Sequence, residues 1–234
     1  VKVLETNGLS MDDIVPVWEA DGIAAAAEFK TGNVPAAVVW TPDGEDIVEG
    51  EFKGKAKILV STDKAPFIIA DCLVATEKTI AEKKDVLVRF LTAWLTVNGE
   101  LNSASEAVKT KAAEDFAKVY GMGDSFFGIN GLNKVRLTTL GDNYNFFGLN
   151  PSYTGVTGEQ LYNKMSRVYA SVKPALATNP KPWRSVSTTE IIEAVQLTGA
   201  SQEAEAVIKF TAPTATEKTK TAISSKKVSI NFPT

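Results

Sequence analysis

Apolar residues come in short unbroken runs in the first third of this chain and at helical spacing after it. "DIVPVWEAD" (Asp13–Asp21) predicts a short strand carried by Ile14, Val15 and Val17. Asp21-Gly22 then opens a predicted helix, "GIAAAAEFKTGN", made of strong helix formers and stopped by Gly32-Asn33. "PAAVVW" (Pro35–Trp40) is apolar throughout, as a strand covered on both faces should be. "PDGEDIVEGEF" predicts a short helix, with Pro42 in its first turn and acids where the helix dipole favours them. "AKILVST" and "FIIADCLVAT" read as two more strands, and "VKVLETNG" at the start as the last turns of a helix. Strand and helix in alternation predict an α/β fold around a parallel sheet.

The pattern changes at Thr76. Asp85 to Leu101 carries Val86, Leu87, Phe90, Leu91, Trp94 and Leu95 on one predicted face, so Trp94 is expected in the core, as is Trp18. Ser105 to Tyr120 predicts a second helix, stopped by Gly121. Asp124 to Phe147 predicts a short helix and a longer one ending in "DNYNFFG", whose Tyr144, Phe146 and Phe147 read as packing residues. "TGEQLYNKMSRVYASV" is helical, with Leu161, Met165, Val168 and Tyr169 inward. "STTEIIEAV" is a short helix capped by Ser187 or Thr188. Past Gly199 the Thr, Ala, Ser and Lys of "FTAPTATEKTKTAISSKK" predict a linker, and Val228, Ile230 and Phe232 alternate as a strand would.

Composition narrows the chemistry. The net charge of −3 makes a polyanion such as nucleic acid an unsuitable partner. Histidine is absent, which removes the commonest general base and the commonest zinc ligand and excludes Ser-His or Cys-His catalysis within the chain. Cys72 is the single cysteine and, within "FIIADCLVA", reads as a buried structural thiol. No cofactor or metal is expected.

"NGLSMDDI", "WEADGIAAAAEFKTGNVPAAVVWTPD", "KILVSTDKAPFIIADCLVA" and "VLVRFLTAWL" follow one another in an order and spacing that resembles the periplasmic solute-binding proteins of ABC importers. The similar branch handles nitrate, sulfonates, bicarbonate and thiamine-precursor pyrimidines. The resemblance runs more loosely through "GDNYNFFGL" and "LYNKM" to "WRSV". It implies the parallel-sheet lobe of a type II clamshell followed by a mainly helical segment of the returning lobe. Residues 1–76 would be the second lobe, 77–199 the helical segment completing the module, 200–227 a linker, and 228–234 the start of a further domain. The tail "SSKKVSINFPT" resembles the first strand of an outer-membrane-protein-A-like peptidoglycan-binding domain. Two departures stand out: the family's first lobe does not precede this segment, and Thr41 stands where members usually carry an acid. An enzyme family of thiamine-precursor synthesis shares the scaffold but relies on histidine and on that first lobe.

Taken with the resemblance, the expected function is solute capture in an interlobe cleft outside the cytoplasm. The solute would be small and anionic or heterocyclic, the partner a membrane ABC permease, and peptidoglycan a further partner through the tail. The alternative is an envelope scaffold that has lost solute binding. Ligand in such a cleft sits where strands end and helix N-termini aim N–H groups at it. That places Trp40, Thr41 and Asp43 at one strand end, and Glu19, Asp21 and Gly22 at another. Trp40 could stack on a flat ligand or simply plug its strand end, and Asp43 could be only a helix cap. Glu19 and Asp21 would suit a cationic or hydroxylated ligand better than nitrate. Asp71 could line the hinge, and Asn143 belongs to the returning segment.

Overall fold

A computed structural model of the chain describes residues 1–62, 69–121, 131–133, 135–172 and 180–205. Among these the regular elements are helices: α1 (Lys2–Thr6), α2 (Gly22–Thr31), α3 (Asp43–Asp46), α4 (Glu77–Glu82), α5 (Lys84–Asn102), α6 (Glu106–Val119), α7 (Leu140–Phe146), α8 (Gly158–Val172), α9 (Trp183–Val186) and α10 (Glu190–Ala194). Short 3-10 turns lie at Met11–Asp13 and Ala200–Gln202, and a π turn, Ile47–Glu51, continues α3.

The expected α/β lobe with its parallel sheet is not there: no strand occurs among the described residues. The runs around Ile14–Trp18, Pro35–Trp40, Ile58–Val60 and Ile69–Val74 instead lie as irregular backbone, with Val15 93%, Val38 90% and Val74 90% exposed. The physical reason is that β-branched, apolar runs report β propensity, whereas a strand exists only when a partner takes its N–H and C=O groups. Pro16, Pro35 and Pro42 also each lack the N–H a ladder would use. Phe67 and Ile68 of the last predicted strand, and the linker and tail strand, lie outside the described residues.

The helices follow local chemistry closely. The Asp21 carboxylate accepts the Ala24 N–H at 2.8 Å and opens α2, and Gly32 at φ 81° closes it. Ala26 and Ile47 are buried between α2 and the α3 turn, with Phe29 and Phe52 5.7 Å apart beside them. Thr76 caps α4, its hydroxyl accepting the Thr79 N–H. At α10 the N-cap is Thr189, which makes no side-chain cap bond; of the two expected caps, Thr188 accepts the Glu190 N–H from one position further back, and Ser187 donates to the Trp183 carbonyl.

The core sits where α5, α7 and α10 meet. Leu95, Leu140, Ile192 and Val195 are buried together, with Val88, Leu91, Tyr144, Leu149 and Leu197 against them. Trp94 is one residue beyond the inward stripe and stands 48% exposed beside Phe90, and Trp18 is more exposed still; neither is the core residue expected. The stripe turns polar further along α5. Asn98 donates to the Thr138 carbonyl at 2.9 Å, and Asn102 both donates to the Leu137 carbonyl and accepts the Leu137 N–H. Two amides at i, i+4 thus hold an irregular backbone segment that no sheet supports.

Residues 199–205, whose composition reads as the start of the linker, cross this core as a strap. Gln202 is buried, donating to the Leu95 carbonyl at 2.9 Å and accepting the Leu140 N–H at 3.1 Å. Thr139 donates to the Glu203 carbonyl, and Asp142, which also caps α7 with Thr139, accepts the Glu205 N–H at 2.7 Å. The strap comes so close that a Cβ on Gly99 would lie 2.6 Å from the Ser201 carbonyl oxygen, and one on Gly141 2.4 Å from the Ala204 nitrogen. Beside it, Phe146 and Phe147 pack with Trp183 and Tyr162, as aromatic packing residues should.

Candidate functional site

Two of the predicted strand ends do meet, although no sheet brings them together. Gly22 is buried at the start of α2 because the Trp40 indole lies over it. A Cβ at position 22 would be 3.0 to 3.3 Å from three atoms of that ring, so only glycine allows the contact without displacing the indole. Trp40 remains 63% exposed, which leaves indole surface available. Its carbonyl accepts the Gly44 N–H at 3.1 Å, tying the ring to the α3 turn, and the Thr41–Pro42 peptide is cis. The Thr41 hydroxyl donates to Glu45 at 3.2 Å. Asp43, Glu45 and Asp46 occupy the first turn of α3.

Of the eight predicted site residues, Gly22 and Trp40 therefore meet, with Asp21 next to Gly22 in sequence and Thr41 and Asp43 in the turn that follows Trp40; these five make the candidate platform. Glu19 is exposed two residues before the α2 cap. Asp71 is exposed in the irregular segment after Ile69, and Asn143 lies on α7, donating to the Thr139 carbonyl at 2.8 Å. Both expectations depended on a sheet topology that the described residues do not show.

The electrostatics differ from those of an anion site. At α2 the Asp21 carboxylate already takes the Ala24 N–H, and at α3 the Gly44 and Asp46 N–H groups are turned inward to the Trp40 and Pro42 carbonyls. Three acids lie in the α3 turn that follows Trp40 and no basic residue does, so the local charge favours a cation over an anion.

Cys72 is exposed rather than buried as expected. Its thiol is pushed above the ordinary cysteine range, first by partial desolvation from the surrounding chain and then by the Asp71 carboxylate. A raised thiol holds less thiolate at pH 8, so iodoacetamide should label Cys72 more slowly in the folded chain than in urea, with Asp71→Asn recovering only part of the difference. Equal labelling rates, followed by mass spectrometry, would contradict that environment.

Sequence reasoning missed the Gln202 strap and a cavity of about 240 Å3 lined by residues that include Lys109 and Arg136. The available signal was the pair Asn98 and Asn102, which continues an apolar stripe with amides. Among the described residues no helix is long and apolar enough to cross a membrane, and no group of three or more Cys, Asp or Glu could hold a metal ion. Comparison with protein-family models, with curated proteins and with solved structures finds no match.

Proposed function

We propose that the chain is the extracytoplasmic solute-binding component of an ABC-type importer, and that its solute is a small, positively charged heterocycle. The ordered motifs quoted above support the importer reading. The observation that carries the solute class is the Trp40 indole seated on Gly22 with part of its surface open, Asp21 preceding that glycine and Asp43 and Glu45 lying in the turn that follows Trp40. A flat cation gains both stacking and cation–π attraction on such a surface, while a nitrate or sulfonate meets carboxylates. A membrane permease would take the loaded protein.

The second reading, an envelope scaffold without solute binding, has its own support. Among the described residues, the core cluster of α5, α7 and α10 and the partly buried residues packed against it include none from the platform.

Calorimetric titration of the 234-residue chain separates the two. A protonated aminopyrimidine should bind, nitrate and methanesulfonate should not, and Trp40→Ala should weaken the cation by about tenfold. Absence of heat for all three, with the helical fold intact by circular dichroism, would favour the scaffold.

A further inference from the structure

Away from the core, α5 carries a second apolar row. Val86, Phe90, Trp94 and Val97 follow one another at intervals of four, four and three, which sets them along one side of the helix, and each stands close to half exposed. The row is distinct from the stripe that Leu91 and Leu95 send into the core, so α5 is apolar on two faces. Phe90 and Trp94 already pack on each other, their ring centroids 6.0 Å apart. Apolar surface gathered in a line along the longest helix among the described residues, rather than scattered singly, marks an interaction face.

The charges beside the row indicate what it fits. Arg89 and Glu100 lie three turns of helix apart, so they share one flank of the row at a separation of about 16 Å. Arg89 pairs with Asp85 one turn back at 3.5 Å, with both side chains well exposed, a contact weak enough to exchange. A second copy of α5 laid antiparallel and crossing near Trp94 brings Arg89 of each chain within about one residue of Glu100 in the other. The same register sets Phe90 against Val97 and Trp94 against its own copy. A parallel pair would instead set Arg89 against Arg89 and Glu100 against Glu100. Each antiparallel contact occurs twice, as an isologous interface requires.

We infer that the chain self-associates as a two-fold dimer through this face of α5, with the two helices antiparallel. The area sets the strength. Phe90 and Trp94, half exposed, would each cover roughly 100 Å2, and the whole contact stays below the roughly 800 Å2 per partner of a standard interface. The dimer is therefore weak, with a Kd on the order of 0.1 mM, and at the micromolar concentrations of an unfolding titration the chain is a monomer. The face belongs to a different element from Trp40, so dimer formation is independent of any solute capture.

Sedimentation equilibrium of the 234-residue chain, from about 10 µM to about 1 mM, spans that range. The weight-average mass should start at 25.1 kDa and rise toward twice that value without passing it. Trp94→Ala should weaken association by at least about tenfold, and Arg89→Glu or Glu100→Arg alone by roughly three- to tenfold. The double variant carrying both reversals should recover wild-type association, because the pairs reform with their signs exchanged. Circular dichroism shows whether each variant folds; should Trp94→Ala fail to, the charge variants at two exposed positions decide. A mass still at 25.1 kDa in the most concentrated sample, as it would be if another protein or another part of this chain took the row, would overturn the dimer. So would a mass that climbs past the dimer without limit. A double variant that associates no better than the single ones would overturn the antiparallel arrangement.

Discussion

Gly141→Ala should destabilise the chain by about 2–3 kcal/mol, although alanine is ordinarily the better helix former by up to about 1 kcal/mol. Position 141 is the second residue of α7 with ordinary helical neighbours, so propensity alone predicts a gain. The strap reverses the sign. The new methyl would sit 2.4 Å from the Ala204 nitrogen and 2.8 Å from the Gln202 carbonyl oxygen, and both obstacles are backbone rather than a movable side-chain tip. Residues 202–204 would have to lift away, and with them go the Gln202 bonds that join α5 to α7. Urea unfolding followed by circular dichroism should show a lower midpoint with an unchanged slope. A variant as stable as wild type would mean that the strap does not rest on α7 in solution.

Leu95→Ala should be costlier, about 2–5 kcal/mol, because a side chain 1% exposed at the centre of the cluster leaves a cavity its neighbours fill only in part. The informative comparison is Val97→Ala, two residues on, which is half exposed and should stay within about 0.5 kcal/mol. Losses of similar size at the two positions in urea titrations would contradict the orientation of α5.

That comparison also marks how far the sequence could be read. Helix ends were legible because caps are local: Asp21 and Gly32 bound α2, and Gly121 follows α6 with φ 65°. The face of α5 was legible only in part, since Val86 and Phe90, also expected inward, stand 45% and 51% exposed. Leu91 and Leu95 point inward as expected, but Trp94 lies at the edge of the stripe, where hydrophobicity cannot distinguish core from rim. Tyr169 on α8 likewise stands exposed although Leu161 of the same helix is buried. The sheet was misread for a different reason. Pairing is a property of two segments, and the run at Pro35–Trp40 says nothing about which backbone would receive its hydrogen bonds. The strap was invisible because Gln202 meets Leu95 across 107 positions, within a stretch whose composition is polar.

The candidate site divides along the same line. Gly22 and Trp40 come together, with Asp21, Thr41 and Asp43 as their sequence neighbours, because one short helix and one turn fold that stretch back on itself, a local event. Asp71 and Asn143 would have needed long-range topology, and the described residues show no sheet to supply it.

The most direct test of the account follows the four tryptophans separately, by 19F resonance in the 5-fluorotryptophan-labelled chain, with Trp40 assigned through Trp40→Phe. Adding a protonated aminopyrimidine should move the Trp40 resonance saturably while those of Trp94 and Trp183 stay in place, and methanesulfonate should move none. A Trp40 signal indifferent to the cation, or one that answers the anion instead, would contradict the proposed platform and the class of solute assigned to it.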